Sequence, residues 1–253
     1  IRHISIPRTF GIPNPFTYVN LSLCLTKYWP DIIQYFSEHT KAHKHKISQL
    51  HIRKVKKSKK ILNFGYADFR NDDLSSLNLI TNSKYRVEAD ISKFFSSIYS
   101  HSIPWCMHGK NESQTNKNSS HYSDQLDQLT RYNKNSETKG ILIGPHASNI
   151  ISEIVLTRVD NVLYDKGYRF IRFVDDYKCF TKDFNQSEQF LIDLSTELKE
   201  YSLGINHTKT RISCLPLPNK SKWVNTLINY PFSYYVDELT KKDSLNTRNI
   251  ISF

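Results

Sequence analysis

The sequence contains no long apolar run and few cysteines, and each shortage excludes a class of protein. No stretch approaches the roughly 20 consecutive apolar residues of a membrane-spanning helix, so no membrane partner is expected. Only 4 cysteines occur in 253 residues, far apart and without C-x-x-C spacing. This argues against a disulfide framework or a zinc site and favours a reducing cytoplasm. The four are Cys24, Cys106, Cys179 and Cys214.

Methionine is scarce as well, and its placement bears on what the chain is. The only one is Met107, and the chain starts at Ile1 without the features of a signal peptide. We therefore expect a fragment or a processed form of a longer protein. Charged residues at 23% and apolar residues at 38% describe an ordinary soluble globule, long enough for one or two subdomains.

Positive charge is in excess and is unevenly distributed. Lysine and arginine number 35 against 24 acidic residues, which gives a net charge of +11. A solvated basic surface would explain the total, but clustering is typical of a surface that meets a phosphate backbone. We expect residues 41–60 to form a loop or an exposed hairpin that contacts RNA or DNA. Six basic residues there crowd into eight positions: Arg53, Lys54, Lys56, Lys57, Lys59 and Lys60.

Two adjacent acids, Asp175 and Asp176, interrupt an apolar stretch at residues 170–180. Burying an unpaired carboxylate is costly, and two side by side also repel each other. A hard divalent cation such as Mg²⁺ would relieve the repulsion, since it prefers carboxylate oxygens. The alternative is a polar turn between two hairpin strands, because Asp is a common turn residue. Both hold if a tight hairpin carries the acids at its tip.

A third acid ends a second predicted strand. Residues 85–91 alternate, with Val87 and Ala89 on the face opposite Glu88 and Asp90, which is typical of a half-buried strand. Asp90 alone could be the N-cap of the short helix that follows. Three acids from two strands, however, can hold two metal ions roughly 3.5–4 Å apart for phosphoryl transfer.

The remaining pattern is mostly helical. Asn14 followed by Pro15 predicts a helix start, with one face given by Phe16, Val19 and Leu23. Asp31 is a candidate cap for a second helix. Apolar residues at three- and four-residue intervals across 147–163 predict a long helix, and Ser187 is a candidate cap for another. Strand, long helix, acid-tipped hairpin and helix in this order indicate an antiparallel sheet backed by helices, an α+β fold.

Four segments resemble the motifs of reverse transcriptases, in the order in which that superfamily carries them. Residues 89–98 resemble motif A, 138–145 motif B, 173–176 the aromatic-X-Asp-Asp box of motif C, and 203–210 motif D. From the first to the last, they extend over roughly half of the chain. The chain is most similar to the bacterial abortive-infection and defence-associated branch. That likeness is carried by residues 12–15, 99–110, the Ile-Gly-Pro form of motif B, and residues 215–218 with Trp223.

This resemblance implies a right-hand polymerase with fingers at residues 1–84 and a palm at 85–214. The palm would include a polar surface loop near residues 110–123. A primer-grip-like hairpin and the start of a thumb or helical C-terminal domain would occupy 215–253. Because that stretch is too short for a full thumb, we expect the natural protein to be longer.

The resemblance also implies roles for the acids. Asp90 and Asp175 would hold two Mg²⁺ ions, or Mn²⁺, with help from the Ile91 carbonyl, and Asp176 would be a weaker ligand or an electrostatic partner. Lys209 would donate a proton to the leaving pyrophosphate or merely screen it. The lysines of the basic run would contact nucleic acid or close on the triphosphate.

Other motif positions would contact the incoming nucleotide. Phe95 stands where the family places an aromatic steric gate against the 2′-hydroxyl, which favours dNTPs, although core packing is the alternative for it. Gly140 and Gly144 would let the backbone approach the base pair closely. Ile143 stands where most reverse transcriptases carry Gln, and because it cannot hydrogen-bond, strict templating is put in doubt.

Several functions follow from this reading. The first is a DNA polymerase of the reverse-transcriptase type in bacterial antiphage defence, as a monomer or a homo-oligomer. A rival with the same chemistry is template-independent, protein-primed DNA synthesis. From other classes come a catalytically idle RNA-binding scaffold and a metal-dependent nuclease. Three intact acids speak against the scaffold, and a nuclease would leave the gate and the glycine box unexplained.

Removing four charges from the basic run should flatten the salt dependence of nucleic-acid binding. Each single-strand phosphate contact contributes roughly 0.7 log unit of affinity per log unit of salt, because bound counterions are released. Titrating a labelled RNA at several salt concentrations gives the slope for each protein. An unchanged slope would make the run an ordinary solvated surface. The changes are Lys56→Gln, Lys57→Gln, Lys59→Gln and Lys60→Gln.

Overall fold

The computed structural model describes residues 10–54, 62–66, 78–111, 121–216, 234–237 and 242–245. For the strands at 50–54, 62–66, 234–237 and 242–245 it describes the backbone. The chain divides into two compact units, residues 1–215 and residues 216–253. None of the helices in the described ranges is long and apolar enough to cross a membrane.

A four-stranded antiparallel sheet is the centre of the first unit. Its strands are β3 (Tyr85–Asp90), β4 (Arg169–Phe173), β5 (Asp176–Thr181) and β6 (Arg211–Cys214). They lie in the order β4-β5-β3-β6, so β3 is a central strand. The predicted alternation of β3 is seen in its burial, because Val87 and Ala89 are buried and point to the core. This antiparallel sheet backed by helices confirms the α+β prediction.

The predicted acid-tipped hairpin is formed by β4 and β5. Phe173 pairs with Asp176, so only two residues connect the strands. Both faces of this hairpin are covered, which explains its nearly continuous apolar sequence. Phe170 and Cys179 are fully buried against the main core, whereas Ile171 and Phe180 pack against Leu79 in a second, smaller cluster.

The predicted long helix is α6 (His146–Asp165), numbering helices in chain order, and it contains more buried residues than any other described element. Apolar residues recur on more than one side of it, so α6 packs against neighbours on several faces. Its fully buried residues include Ile154, Val155, Leu156, Val159 and Leu163.

Helix α7 (Phe184–Glu200) follows β5 and packs against β3, β5 and α6. The prediction of Ser187 as its cap was wrong. Asp183 is the N-cap, and its carboxylate accepts a hydrogen bond from the Gln186 amide at 2.8 Å. Ser187 lies one turn inside the helix, where its hydroxyl and that of Thr181 are hydrogen-bonded at 2.6 Å.

Two helices begin the described chain. Asn14 caps α1 (Pro15–Lys27) through the Phe16 amide, as predicted, but the predicted apolar face was wrong. Phe16, Val19 and Leu23 are exposed, and the opposite side is buried through Leu21, Cys24 and Leu25. Both sides of this helix are apolar, so periodicity alone could not choose between them.

The second helix, α2 (Trp29–Thr40), starts at Trp29 after Tyr28. Asp31 therefore lies in its first turn, and the prediction that it is the cap was wrong. A carboxylate in the first turn is still favourable there, because it faces the positive end of the helix dipole.

Three shorter helices are α3 (Phe94–Ser97), α4 (Ser102–His108) and α5 (Tyr122–Tyr132). Helix α4 packs against both α5 and α6, and α5 also packs against α1. Helix α5 was not predicted. Its first two residues, Tyr122 and Ser123, fall within the predicted loop at 110–123, and Ser123 is fully buried. The helix therefore starts two residues before the end of the predicted loop, and residues 112–120 of that loop lie outside the described residues.

Two hairpins complete the description. Strands β1 (Leu50–Lys54) and β2 (Leu62–Tyr66) pair antiparallel. Strand β1 lies within the stretch 41–60 that was predicted to be a loop or an exposed hairpin, and β2 lies just beyond it. In the second unit, β7 (Tyr234–Asp237) pairs with β8 (Lys242–Leu245). The predicted nucleic-acid ligands Lys56, Lys57, Lys59 and Lys60 lie outside the described residues.

Candidate active site

The three predicted acids lie together where β3 ends and the β4–β5 hairpin turns. Asp90 is the last residue of β3 and pairs in register with Asp176, the first residue of β5. Asp175 precedes it in the two-residue turn. Three carboxylates, two on neighbouring strands and one in the turn, thus meet at one edge of the sheet. Asp90 is also not the cap of α3, because Lys93 takes that position.

The turn that carries Asp175 has an unusual backbone. Val174 has φ of 59°, in the region that favours glycine, and it is the only one of the two turn residues with positive φ. A positive φ at the first central residue alone is typical of a type II′ turn, where glycine is normally found. A β-branched residue there is strained, so surrounding contacts must hold the turn in place.

Backbone hydrogen bonds tie this edge to two other motifs. The Ile91 amide donates to the Asp175 carbonyl at 3.2 Å, which links the end of β3 to the turn. The Asn206 amide donates to the Asp90 carbonyl at 2.7 Å, and the Ser92 amide donates to the Gly204 carbonyl at 2.8 Å. The motif D segment is therefore held against the end of β3.

Negative charge accumulates at this edge. Burial, followed by the nearby Asp176 and Asp90 carboxylates, raises the pKa of Asp175 to about 6. Burial and the Asp90 carboxylate also raise the pKa of Asp176. Two cations oppose them: the Lys209 ammonium contacts the Asp90 carboxylate directly, and the Lys178 ammonium also acts to lower the pKa of Asp176. The ionised acids therefore repel one another, and a positive charge stabilises them.

The chemistry of these donors fits a hard divalent cation. The three carboxylates and the Ile91 carbonyl offer only oxygen ligands, the kind that Mg²⁺ and Mn²⁺ prefer. Within the part of the chain that is described, no three His, Cys, Asp or Glu side chains are already grouped as a metal site. Lys209 instead supplies the positive charge at Asp90.

The two adjacent aromatics of motif A have different environments. Phe94 is buried at 3% exposure, whereas Phe95 is half-buried and packs against the edge of the core. Their ring centroids lie 5.1 Å apart. Phe94 is thus the core residue of the pair, which leaves part of the Phe95 ring accessible. The role of Phe95 as a gate stays a prediction.

Motif B lies beside helix α3, which carries Phe94 and Phe95, because of backbone contacts at Gly140 and Ile141. The Gly140 amide donates to the Ile98 carbonyl at 2.7 Å, and the Ile141 amide donates to the Phe95 carbonyl at 2.7 Å. Gly140 has φ of +86°, and a Cβ there would lie 2.8 Å from the Ser96 carbonyl oxygen. Gly144 also has positive φ, at +120°. Only glycine suits the approach at Gly140.

The sequence did not reveal a contact between the start of the described chain and motif B. The Gly11 amide donates to the Ile143 carbonyl at 2.9 Å. A Cβ at Gly11 would lie 2.6 Å from Leu142 Cδ2, so the two segments are closely packed. No local pattern could have predicted a contact between residues so far apart in sequence.

A second group was also missed. The buried Arg172 cluster comprises Arg172 on β4, Glu153 and Asp160 on α6, and Tyr177 on β5. Arg172 is 0% exposed and forms ion pairs with Glu153 at 2.9 Å and Asp160 at 2.7 Å. The available signal was the presence of charged residues within the apolar stripe of α6 and the apolar strand β4.

Comparisons with known proteins identify the family and the fold of the chain. A family model described as reverse transcriptase (RNA-dependent DNA polymerase) matches residues 38–232, well over half of the chain. No curated protein matches it. Among solved structures, an apo telomerase from Candida tropicalis truncated from its C-terminal domain is similar, with a TM-score of 0.52 and 13% identity. That alignment covers 91% of this chain and 47% of the telomerase.

Another apo telomerase structure from Candida tropicalis has a TM-score of 0.47 at 15% identity, covering 74% of this chain and 36% of the telomerase. A telomerase from Candida albicans in complex with a TWJ fragment of telomeric RNA has a TM-score of 0.43 at 14% identity, covering 92% and 37%. The chain therefore spans about half or less of the length of these proteins. At such identities the likeness concerns the fold alone.

Gly140→Ala should destabilise the protein more than Gly167→Ala. Both glycines have φ of +86°, so alanine is strained at either position, by about 1–2 kcal/mol. A Cβ at Gly167 meets no atom within 4 Å, whereas at Gly140 it meets the Ser96 carbonyl. Overpacking of this kind adds about 1–3 kcal/mol. Urea denaturation measures both losses, and equal losses would show that the approach at Gly140 is not tight.

Proposed function

The chain belongs to the reverse transcriptase (RNA-dependent DNA polymerase) family, and on that premise we propose that it adds dNTPs to a nucleic-acid 3′ end. The observation that carries the proposal is the meeting of Asp90, Asp175 and Asp176 at one edge of the sheet. Crowded carboxylates repel one another and destabilise a fold, and such groups cluster at functional sites. Cations bound there for phosphoryl transfer would relieve the repulsion.

Two divalent cations, Mg²⁺ or Mn²⁺, would be held by Asp90 and Asp175, with Asp176 and the Ile91 carbonyl as further ligands. When bound, such ions lower the pKa of the primer 3′-hydroxyl and neutralise charge on the triphosphate. The sheet register keeps Asp90 and Asp176 on adjacent strands, and the Ile91 amide keeps the Asp175 backbone beside them. The protein thus positions its carboxylates through main-chain hydrogen bonds.

Lys209 would act on the leaving group. Its ammonium already lies at Asp90, so the positive charge is placed at the same edge as the acids. The side chain is 56% exposed and can move toward an incoming phosphate. There it would donate a proton to pyrophosphate or screen its charge.

Phe95, Gly140, Ile143 and Gly144 would form the nucleotide pocket. The close approach between Gly140 and the Ser96 carbonyl of α3 supports this, and the hydrogen bond from the Ile141 amide to the Phe95 carbonyl joins motifs A and B at the same place. A half-buried ring at Phe95 would exclude a 2′-hydroxyl and favour dNTPs.

The biological setting we propose is bacterial antiphage defence, in the cytoplasm, with RNA or DNA as partner. The support is the resemblance of the motif regions to abortive-infection reverse transcriptases and the excess positive charge, +11 over the chain. Four thiols without a common spacing fit a reducing compartment. A homo-oligomer is compatible with this function.

A second candidate is template-independent, protein-primed synthesis, and Ile143 favours it. Its side chain has no donor or acceptor for the nascent pair, so discrimination by strained polar contacts is lost. Products made with all four dNTPs and a defined RNA, a scrambled RNA or no RNA separate the two. Faithful complements made only with template support ordinary copying, whereas biased products made without RNA support the rival. An idle scaffold would give no product at all.

Asp175→Asn should abolish nucleotide incorporation while the protein stays folded. The change removes a proposed cation ligand and also one of three repelling charges, so the melting temperature should stay or rise. We expect incorporation to fall by at least about a hundredfold. Asp183→Asn is the matched control, because asparagine caps a helix as well as aspartate does and the residue lies outside the site. Full activity of Asp175→Asn would end the polymerase assignment.

Phe95→Ala should raise the use of ribonucleotides relative to deoxynucleotides. Removing the ring opens the space that a 2′-hydroxyl needs. The measurement is the ratio of kcat/KM for each rNTP and dNTP pair, with a melting curve for each protein. Phe184→Ala serves as the control, since this phenylalanine is 46% exposed and starts a helix outside the site. An unchanged ratio would show that Phe95 is a core-packing residue and not a steric gate.

A further inference from the structure

The buried Arg172 cluster uses every donor of its guanidinium. Arginine has five N–H groups in a rigid fork. Nε donates to Asp160 at 2.9 Å, and Nη2 donates to Asp160 at 2.7 Å and to Glu153 at 3.1 Å. Nη1 donates to Glu153 at 2.9 Å and, with its other hydrogen, to the Val174 carbonyl at 2.8 Å. Four donors therefore hold the arginine to α6, and the fifth reaches the turn.

Stability alone does not account for such a cluster. Taking charges out of water costs several kcal/mol per ion, and apolar replacements of buried ion pairs are often neutral or stabilising. Arg172 is 0% exposed, and Asp160 and Glu153 are 3% and 6% exposed. Burial raises the pKa of Asp160, against the opposing effect of Arg172. A group this costly suggests a requirement other than filling the core.

The acceptor of the fifth donor, the Val174 carbonyl, indicates that requirement. Val174 is the strained residue of the two-residue turn, and its neighbour is Asp175. A hydrogen bond to the Val174 carbonyl opposes rotation of the peptide group that joins these two residues. Relaxation of Val174 toward negative φ would turn this peptide and carry the Asp175 carboxylate with it.

The acids of the cluster are themselves fixed. The Tyr177 hydroxyl donates to Asp160 at 3.0 Å, and the Ser48 hydroxyl donates to Glu153 at 2.8 Å. The backbone of Arg172 forms two hydrogen bonds with the segment 47–49. Its amide donates to the Ile47 carbonyl at 2.9 Å, and its carbonyl accepts from the Gln49 amide at 2.8 Å. The guanidinium therefore extends from a backbone that is hydrogen-bonded on both sides, and it binds carboxylates that are themselves hydrogen-bonded to other side chains.

We propose that Arg172 is a positioning residue, which holds the strained Val174–Asp175 turn so that Asp175 faces Asp90. Glu153 and Asp160 act through it, because they orient the guanidinium with its free edge toward the Val174 carbonyl. The proposal rests on the function proposed above, since it assigns Arg172 to the same site. Arg172 itself touches neither substrate nor reacting atoms.

Arg172→Lys tests the proposal. Lysine keeps the positive charge but has three donors and no fork, so it cannot serve both carboxylates and the turn. We expect a folded protein whose kcat falls by about a hundredfold, because a small misplacement of a reacting group costs that much. The KM for dNTP should change less than about twofold, since the cluster does not contact the nucleotide.

Amide hydrogen exchange gives a second readout that does not depend on activity. The Ile91 amide donates to the Asp175 carbonyl, so it reports whether the turn stays in place. In Arg172→Lys its exchange under native conditions should accelerate by at least about tenfold. If the wild-type protein incorporates no nucleotide, the proposed function fails, while this exchange still decides the role of Arg172.

Thr181→Val is the structural control. It removes a buried hydrogen bond to Ser187 at the other end of β5, and it should lower stability without changing kcat or exchange at Ile91. Should Arg172→Lys not fold, the charge-free combination Glu153→Leu, Asp160→Asn and Arg172→Met keeps the core filled. We expect it to fold and to show both defects. A folded variant of either kind with normal kcat and normal exchange at Ile91 would overturn the proposal.

Discussion

Repulsion among three carboxylates at one edge of a sheet is the constraint that the surrounding structure has to meet. Asp90 and Asp176 are brought together by strand register, which allows no other placement for the end of β3 and the start of β5. Burial makes their repulsion stronger, because charges interact more strongly out of water. Main-chain hydrogen bonds hold the acids together against their mutual repulsion, and Lys209 reduces that repulsion in part. A bound cation would bind more tightly because it relieves the repulsion that remains.

Elements whose signal is local were predictable from the sequence. Strand β3, the β4–β5 hairpin and helix α6 follow from periodicity over fewer than about twenty residues, and the three acids follow from their places on those strands. Caps were less reliable. Asn14 beside Pro15 was decisive, whereas Ser187 competed with Asp183, one turn earlier, and lost because a carboxylate there reaches the Gln186 amide. The exposed and buried sides of α1 were exchanged, since both are apolar.

Features that depend on tertiary placement were not predictable. Arg172 finds Glu153 and Asp160 on a helix whose rotation about its axis is set by the whole core, not by its own pattern. The strain at Val174 cannot be read from a sequence that places valine where a glycine would be expected. Both belong to the support of the site rather than to the site itself. The motif residues indicate the chemistry, whereas the residues that position them are far apart in the sequence.

The hydrogen bond between the Gly11 amide and the Ile143 carbonyl has a practical consequence for anyone who engineers this protein. Residues at the start of the described chain form part of the wall behind the glycine-containing loop of motif B. A shortened clone that begins at Asn14 would leave the Ile143 carbonyl without this donor and would uncover Leu142. An expression clone with this boundary would then alter the protein at Ile143, one of the residues proposed to form the nucleotide pocket.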